Sequence, residues 1–302
     1  MLPIVHHPDY QAPLRRDHRF PMSKYGYLRE ALMRRGLLQP GRYLAPAPAQ
    51  ARQLMLAHDS GYVDRVLEQR LTEAEVKKIG LPGTERVARR ARLAASGSFL
   101  AALLAIEHGI AANSAGGSHH AGPEGGAGFC VFNDVAVAVR NLLAQGLVPG
   151  GARVLIVDCD VHQGDGTARI FAGEPAVFTF SLHAENNYPM DKATSDLDLG
   201  LADGTGDAAY LATLAPALQA ALDRARPDIV FYNGGVDVWR NDRLGRLALS
   251  LDGIRARDAH VIATVRGRGL PLVCVIGGGY DYDPEALAER HAIMFEEAAK
   301  AA

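Results

Sequence analysis

The 302-residue chain lacks most features that mark secreted, membrane-spanning or nucleic-acid-binding proteins. Cysteine occurs three times, at Cys130, Cys159 and Cys274, each in an apolar setting and none in a CxxC pair. A disulfide framework is therefore excluded and reduced core thiols are expected. The longest apolar run, FLAALLAI at 99–106, is far too short to span a bilayer. The opening stretch MLPIVHHPDY has neither the basic start nor the apolar segment of a secretory signal. A cytoplasmic protein away from membranes is the expectation. Neither sign of charge dominates: 32 basic side chains stand against 34 acidic ones, net -2, which is not the footprint of a nucleic-acid binder. There is no internal repeat, and LAPAPAQ at 44–50 is too brief to serve as a linker between domains. One domain over residues 1–302 is expected; oligomeric state is not legible.

What the sequence does contain is alternation. ARVLIVD, AVFTFSL (176–182), DIVFYNG (228–234) and LPLVCVIGGG (270–279) are continuous apolar runs rich in β-branched residues, as in strands of a parallel sheet covered on both faces. Helical patterns lie between them at about 132–145, 207–225 and 253–268, and the first hundred residues add KYGYLREALMRRGL and TERVARRARLAASGSFLAALLAIEHG. This βαβ rhythm predicts an α/β fold.

Chemistry-bearing residues gather where these strands end, the rim at which parallel sheets bind ligands. In VLIVDCDVHQGDGT, Asp158, Asp160 and His162 follow at i, i+2 and i+4, so an extended segment would project them together. With Asp237 from a distant strand tip, Asp160 and His162 make an Asp2His set suited to Zn²⁺ or Fe²⁺ with a position open for water, which the metal would acidify to a pKa of about 7. DxDxH alone could equally cap a strand. In GGSHHAGPEGGAGFC, one of His119 and His120 can take a proton from that water while the other holds or returns one, with Asp158 and Asp165 as orienting carboxylates. His6 and His7 are read instead as a loop or surface pair. Tyr280 follows three glycines and can donate to a developing oxyanion, whereas the spacing and the acidic Asp281 and Asp283 argue against a phosphate loop.

GGSHHA…GFCVFND, DCDVHQGDGT, GGVDVWRNDRLG and GGGY, in this order, resemble the histone deacetylase superfamily, and NDRLGRLALSLDGIRARD with VRGRGLPL looks most like its class IV branch. The resemblance implies an arginase-like three-layer fold, a mainly parallel eight-stranded sheet between helices. It implies zinc on Asp160, His162 and Asp237, His120 as general base and acid, His119 as its electrostatic partner with Asp158 and Asp165 behind them, and Tyr280 on the substrate carbonyl. Gly128, Phe129 and Gly278 would line the acyl-lysine tunnel, with Tyr188 the candidate second aromatic. A structural K⁺ would be held by Asp158, Asp160, His162, Ser181 and Leu182. Gln163 and Asp165 depart from other branches, which have histidine and asparagine there; the acidic Asp165 should make His120 more basic.

The implied activity is removal of acetyl or longer acyl groups from the ε-amine of lysine in a protein or peptide. An acylated small amine such as an acetylpolyamine is the other enzymatic reading, and a non-catalytic acyl-lysine binding module the reading of another class. The class IV resemblance implies acyl chains longer than acetyl, and Gly125, Gly126, Ala127 and Gly128 are small enough to leave space for them beside the metal.

Overall fold

The computed structural model describes residues 1–302 apart from 16, 40–42 and 149. Its strands are β1 (Ile4–Val5), β2 (Ile110–Asn113), β3 (Val154–Asp158), β4 (Val177–Ala184), β5 (Leu197–Leu201), β6 (Ile229–Asn233) and β7 (Leu272–Val275). All seven run parallel in one sheet, ordered β1-β2-β7-β6-β3-β4-β5. The expected eight strands are thus corrected to seven among the described residues. The four strands anticipated from their apolar runs are β3, β4, β6 and β7, and β3, β6 and β7 are buried at every position. Each fully buried Val, Leu or Ile there contributes about 1.5–3 kcal/mol.

Among the described residues ten α-helices punctuate the sheet: α1 (Lys24–Arg34), α2 (Ala51–Leu54), α3 (Ser60–Leu67), α4 (Glu73–Ile79), α5 (Glu85–His108), α6 (Asp134–Ala144), α7 (Asp165–Ile170), α8 (Asp207–Ala225), α9 (Leu251–Gly267) and α10 (Pro284–Lys300). Local chemistry sets their ends. Thr84 caps α5 through the Val87 N–H, Ser250 caps α9 through the Gly253 N–H, and Asp283 caps α10 ahead of Pro284. Gly109 closes α5 at φ 88°, a conformation that favours glycine. The α5–α6 pair forms one helical layer against the sheet, and α1, α8, α9 and α10 pack in succession as another. His6 and His7 lie in the loop after β1, and His6 is buried there, 2.8 Å from the Ser114 hydroxyl, rather than on the surface.

Register turns this architecture into a site. Asp158 at the end of β3 lies opposite Ser181 of β4 and Asn233 of β6; Asn233 lies opposite Val275 of β7, which lies opposite Asn113 of β2. Four strands, β2, β3, β6 and β7, thus stop in one row, and β4 runs on to Ala184. The loops that follow carry His119 and His120, Asp160 and His162, Asp237, and Tyr280, and the extended end of β4 carries His183.

Candidate active site

Beyond the row, the chain after β3 turns on its own carboxylates. Asp158 Oδ1 accepts the Asp160 N–H at 3.1 Å, and Asp160 Oδ1 accepts the His162 N–H at 3.0 Å. These turns, not a continued strand, aim the side chains, so Asp158 departs from the direction shared by Asp160 and His162. Asp237 arrives from the loop after β6 and accepts the Val161 N–H at 2.9 Å. Ligand atoms of Asp160, His162 and Asp237 lie within 4.8 Å of one another, all buried.

His162 Nδ1 is 3.0 Å from Asp160 Oδ1 and 3.3 Å from Asp237 Oδ2, yet Asp237 Oδ2 makes no well-formed hydrogen bond. A buried carboxylate oxygen without a partner is costly. Burial pushes the Asp237 carboxyl up, and the neighbouring Asp160 charge adds to this. Two carboxylates and one imidazole converging on an unsatisfied oxygen fit a divalent cation. Gly278 completes the cradle: its N–H donates to Asp160 Oδ2 at 2.6 Å, and a Cβ there would collide with Asp237 and come 2.7 Å from Asp160 Oδ2.

The two histidines stand beside this group. His119 Nδ1 is 2.7 Å from Asp158 Oδ2, and His120 Nδ1 is 2.7 Å from Asp165 Oδ1. Burial opposes charge on His119, but Asp158 and Asp160 outweigh it and raise its pKa to about 9. For His120 burial wins, reinforced by the His119 charge, and the pKa falls to about 4. Asp165 is shared with Arg169, an ion pair one turn along α7, so its negative charge is partly spent before it reaches His120. Asp165 does raise His120, as expected, but burial and the His119 charge outweigh it.

Tyr280 is buried, with its ring centroid 6.3 Å from that of His162. Among the described residues nothing hydrogen-bonds its hydroxyl. Burial, joined by the Asp237 and Asp160 charges, raises its pKa well above the usual phenol range, so it remains a donor. Its backbone N–H is held by Asp242 Oδ2 at 2.7 Å, while Asp242 Oδ1 accepts from Leu244 and Gly245.

Residues 18–297 match the histone deacetylase domain model. The chain belongs to the histone deacetylase family. It is therefore a hydrolase that acts on amide bonds. An uncharacterized protein of Picosynechococcus sp. is 45% identical over 98% of both chains. Histone deacetylase 2 of Arabidopsis thaliana is 32% identical over 87% of this chain and 70% of its own. The crystal structure of the HDA15 HD domain superposes with a TM-score of 0.80 at 23% identity, covering 99% of this chain and 88% of that one. An HDAC homolog complexed with SAHA gives the same TM-score and identity over 99% and 84%. These two likenesses show the fold.

In this deacetylase-family chain the buried group opens to the surface through a cavity of about 700 Å³, whose walls include Gly128, Phe129, Tyr188, His120, His162 and Tyr280. Tyr188 stands edge-on to His120 with centroids 4.8 Å apart. Gly128 takes φ 53°, and a Cβ there would come 2.6 Å from His120 and 3.1 Å from Tyr188. Behind the group lies a second cavity of only about 30 Å³, reached by His119, His120, Asp160, Gly278 and Tyr280. Gly125, Gly126 and Ala127 line neither. A Cβ at Gly126 would meet the Cys130 carbonyl and the Tyr62 hydroxyl, so that run is a close-packed turn and leaves no space beside the metal group. On the far side of Asp158, Ser181 Oγ is 2.9 Å from His183 Nδ1.

Several residues that hold the site were not found from sequence. Asn233 donates to Asp158 Oδ1 at 3.0 Å; a polar residue closing an apolar strand was its available signal. Asp134 fixes the loop before His119 by accepting the Gly117 and Ser118 N–H groups, at 3.2 and 2.7 Å. Arg257 is wholly buried, paired with Asp258 at 2.8 Å, and donates to the carbonyls of Cys159, Gly234 and Gly235, bracing both loops that carry Asp160 and Asp237. Lys24 is buried 3.3 Å from the Gly277 carbonyl; burial lowers its pKa to about 8 against the pull of Asp237 and Asp160. Nothing near Arg257 or Lys24 in the sequence marks them as interior.

Proposed function

We propose that the protein is a zinc-dependent deacylase that frees the ε-amine of acylated lysine in proteins or peptides, working as one domain over residues 1–302. The observation that carries this reading is the buried Asp160, His162 and Asp237 group at the end of an aromatic-walled cavity, beside two histidines each bonded to a carboxylate. When bound, the ion supplies Lewis-acid polarisation of the amide carbonyl and acidifies a water; Fe²⁺ suits the same donors.

The remaining steps belong to the chain. Neutral His120, its Nδ1 engaged by Asp165, takes a proton from the attacking water at Nε2. The Tyr280 hydroxyl donates to the carbonyl oxygen as negative charge develops there. The C–N bond then breaks as a histidine proton passes to the departing amine, leaving a carboxylate and free lysine. Phe129 and Tyr188 flank the aliphatic stem. A structural K⁺ on Asp158, Asp160, His162, Ser181 and Leu182 belongs to the same reading, supported by the β3–β4 register that sets Asp158 against Ser181. No helix among the described residues is long and apolar enough to cross a membrane. The three free, buried cysteines suit a reducing compartment, so we place the work in the cytoplasm.

The test is acetate release from an acetyl-lysine peptide, abolished by chelation and restored by Zn²⁺ or Fe²⁺. A metal-loaded enzyme that ignores every acetyl-lysine peptide but cleaves acetylpolyamines would overturn the substrate class.

A further inference from the structure

The mouth of the cavity carries a charge that the composition as a whole does not. Its outer lining includes Arg15, Asp17, Arg19, Lys77 and Lys78, four cations and one anion, on a chain whose net charge is -2. Arg15 and Asp17 satisfy each other, at 3.1 Å. The exposed side chains of Arg19, Lys77 and Lys78 make no ion pair among the described residues.

These cations are fixed to the tunnel by its own wall. The Lys78 carbonyl accepts the Gly128 N–H at 3.2 Å and the Ile79 carbonyl accepts the Phe129 N–H at 2.7 Å, tying the end of α4 to the wall. A Cβ at Gly80 would come 3.0 Å from the Phe129 ring. On the segment 17–20, His18 and Phe20 pack on the same ring, with centroids 6.3 and 5.4 Å away. Phe129 therefore holds two basic segments beside the entrance. Lys77 and Lys78 also complement the C-terminal dipole of α4, but that does not account for Arg19.

We propose that this rim selects acyl-lysine within an acidic stretch of polypeptide, with Asp or Glu on both sides of the acylated residue. The inference rests on the deacylase reading above. Unpaired cations on two separate segments match carboxylates spread along an extended chain, and they repel both lysine-rich peptides and acetylpolyamines, which are cationic. Each exposed contact is weak, but two or three together change the specificity constant by about tenfold.

The experiment uses the metal-loaded full chain and three acetyl-lysine peptides of one length, flanked by aspartate, alanine or lysine. The expected order of kcat/KM is acidic, then neutral, then basic. The acidic-to-basic ratio should reach about tenfold or more at low salt, arise mainly in KM, and shrink towards one near 1 M salt, where charges are screened within about 3 Å. Arg19→Glu with Lys77→Glu and Lys78→Glu should reverse the order of the charged peptides; Lys77→Gln with Lys78→Gln should give an intermediate ratio. Turnover of the neutral peptide without an acidic preference, or a preference that survives both salt and charge reversal, overturns the rim proposal alone. Failure to hydrolyse any of the three overturns the deacylase reading and the proposal with it.

Discussion

His119 and His120 lie with ring centroids 4.1 Å apart yet are held at opposite ends of the histidine range, His119 charged and His120 neutral at pH 7. The difference follows from what each ring faces. His119 feels two carboxylates, Asp158 and Asp160, whereas His120 has one, already shared with Arg169, and a charged neighbour. A neutral base beside a fixed positive charge suits proton abstraction followed by stabilisation of the negative charge that results.

His120→Ala should therefore lower kcat by about 10²- to 10⁴-fold. The sign of the pH effect follows from His119: its pKa is raised, so its proton is present below about 9 and lost above. Wild-type kcat should fall on the alkaline side as that proton is lost, and Asp158→Asn should move the fall to lower pH. Rate profiles from pH 5 to 10 check this; a limb that Asp158→Asn leaves in place contradicts the assignment.

Removing Asp237 should empty the metal group. Asp237→Ala keeps a folded sheet, judged by circular dichroism, but loses bound metal by elemental analysis and loses turnover. A folded variant with full metal content would make Asp237 a structural acceptor for the Val161 N–H and nothing more.

Tyr280→Phe removes one hydroxyl that no group among the described residues hydrogen-bonds. Transition-state stabilisation by that hydroxyl predicts a fall in kcat of about 10²-fold or more with KM little changed. A matching rise in KM would instead mean that the hydroxyl binds substrate and transition state alike.

His58 ties stability to pH. Its Nδ1 is 2.8 Å from the Gly122 carbonyl and its Nε2 accepts the Asn133 N–H at 3.0 Å, so the folded chain needs the neutral ring. Burial lowers its pKa to about 4 from 6.5. The unfolded chain therefore binds the proton first, and stability is complete above about 6.5 and lost as pH falls towards 4. Between pH 7.5 and 5 this amounts to about 2 kcal/mol. Urea unfolding of wild type and His58→Gln at both pH values should show a correspondingly smaller acid loss in the variant.

The sequence made some of this legible. Asp160, His162 and Tyr280 stand directly after apolar strands, where parallel sheets collect their chemistry, and Asp237 stands at the tip of a third. The strands β1, β2 and β5 escaped notice for physical reasons: β1 is two residues long, β2 is IAAN, and β5 is a mostly half-exposed edge strand, LDLGL. The buried charges escaped for another. Lys24 meets its carbonyl 253 residues away and Arg257 reaches Cys159 across 98, distances over which no local pattern reports. The class IV resemblance suggested room for long acyl chains, a property of the cavity floor that depends on aromatic packing rather than on motif residues.

That floor gives the last prediction. An acyl group whose carbonyl sits by the Asp160, His162 and Asp237 group must send its alkyl end into the inner cavity, about 30 Å³ bounded by Phe20, Tyr25, Arg90 and Cys130. A methyl group fits such a space. A heptyl chain would have to displace Phe20, whose ring packs on Phe129 and Tyr280 with centroids 5.4 and 6.4 Å away, or Tyr25, which is hydrogen-bonded by Arg90. Extra methylenes in a packed interior cost about 1–3 kcal/mol, opposing the roughly 0.8 kcal/mol that each could gain in an open pocket. Acetyl-lysine should therefore exceed octanoyl- and myristoyl-lysine in kcat/KM, by about 10²-fold or more for octanoyl. Phe20→Ala should narrow that gap by enlarging the floor. Wild-type enzyme that prefers octanoyl over acetyl would show that Phe20 and Tyr25 move aside on binding and that the packed floor does not set the acyl length.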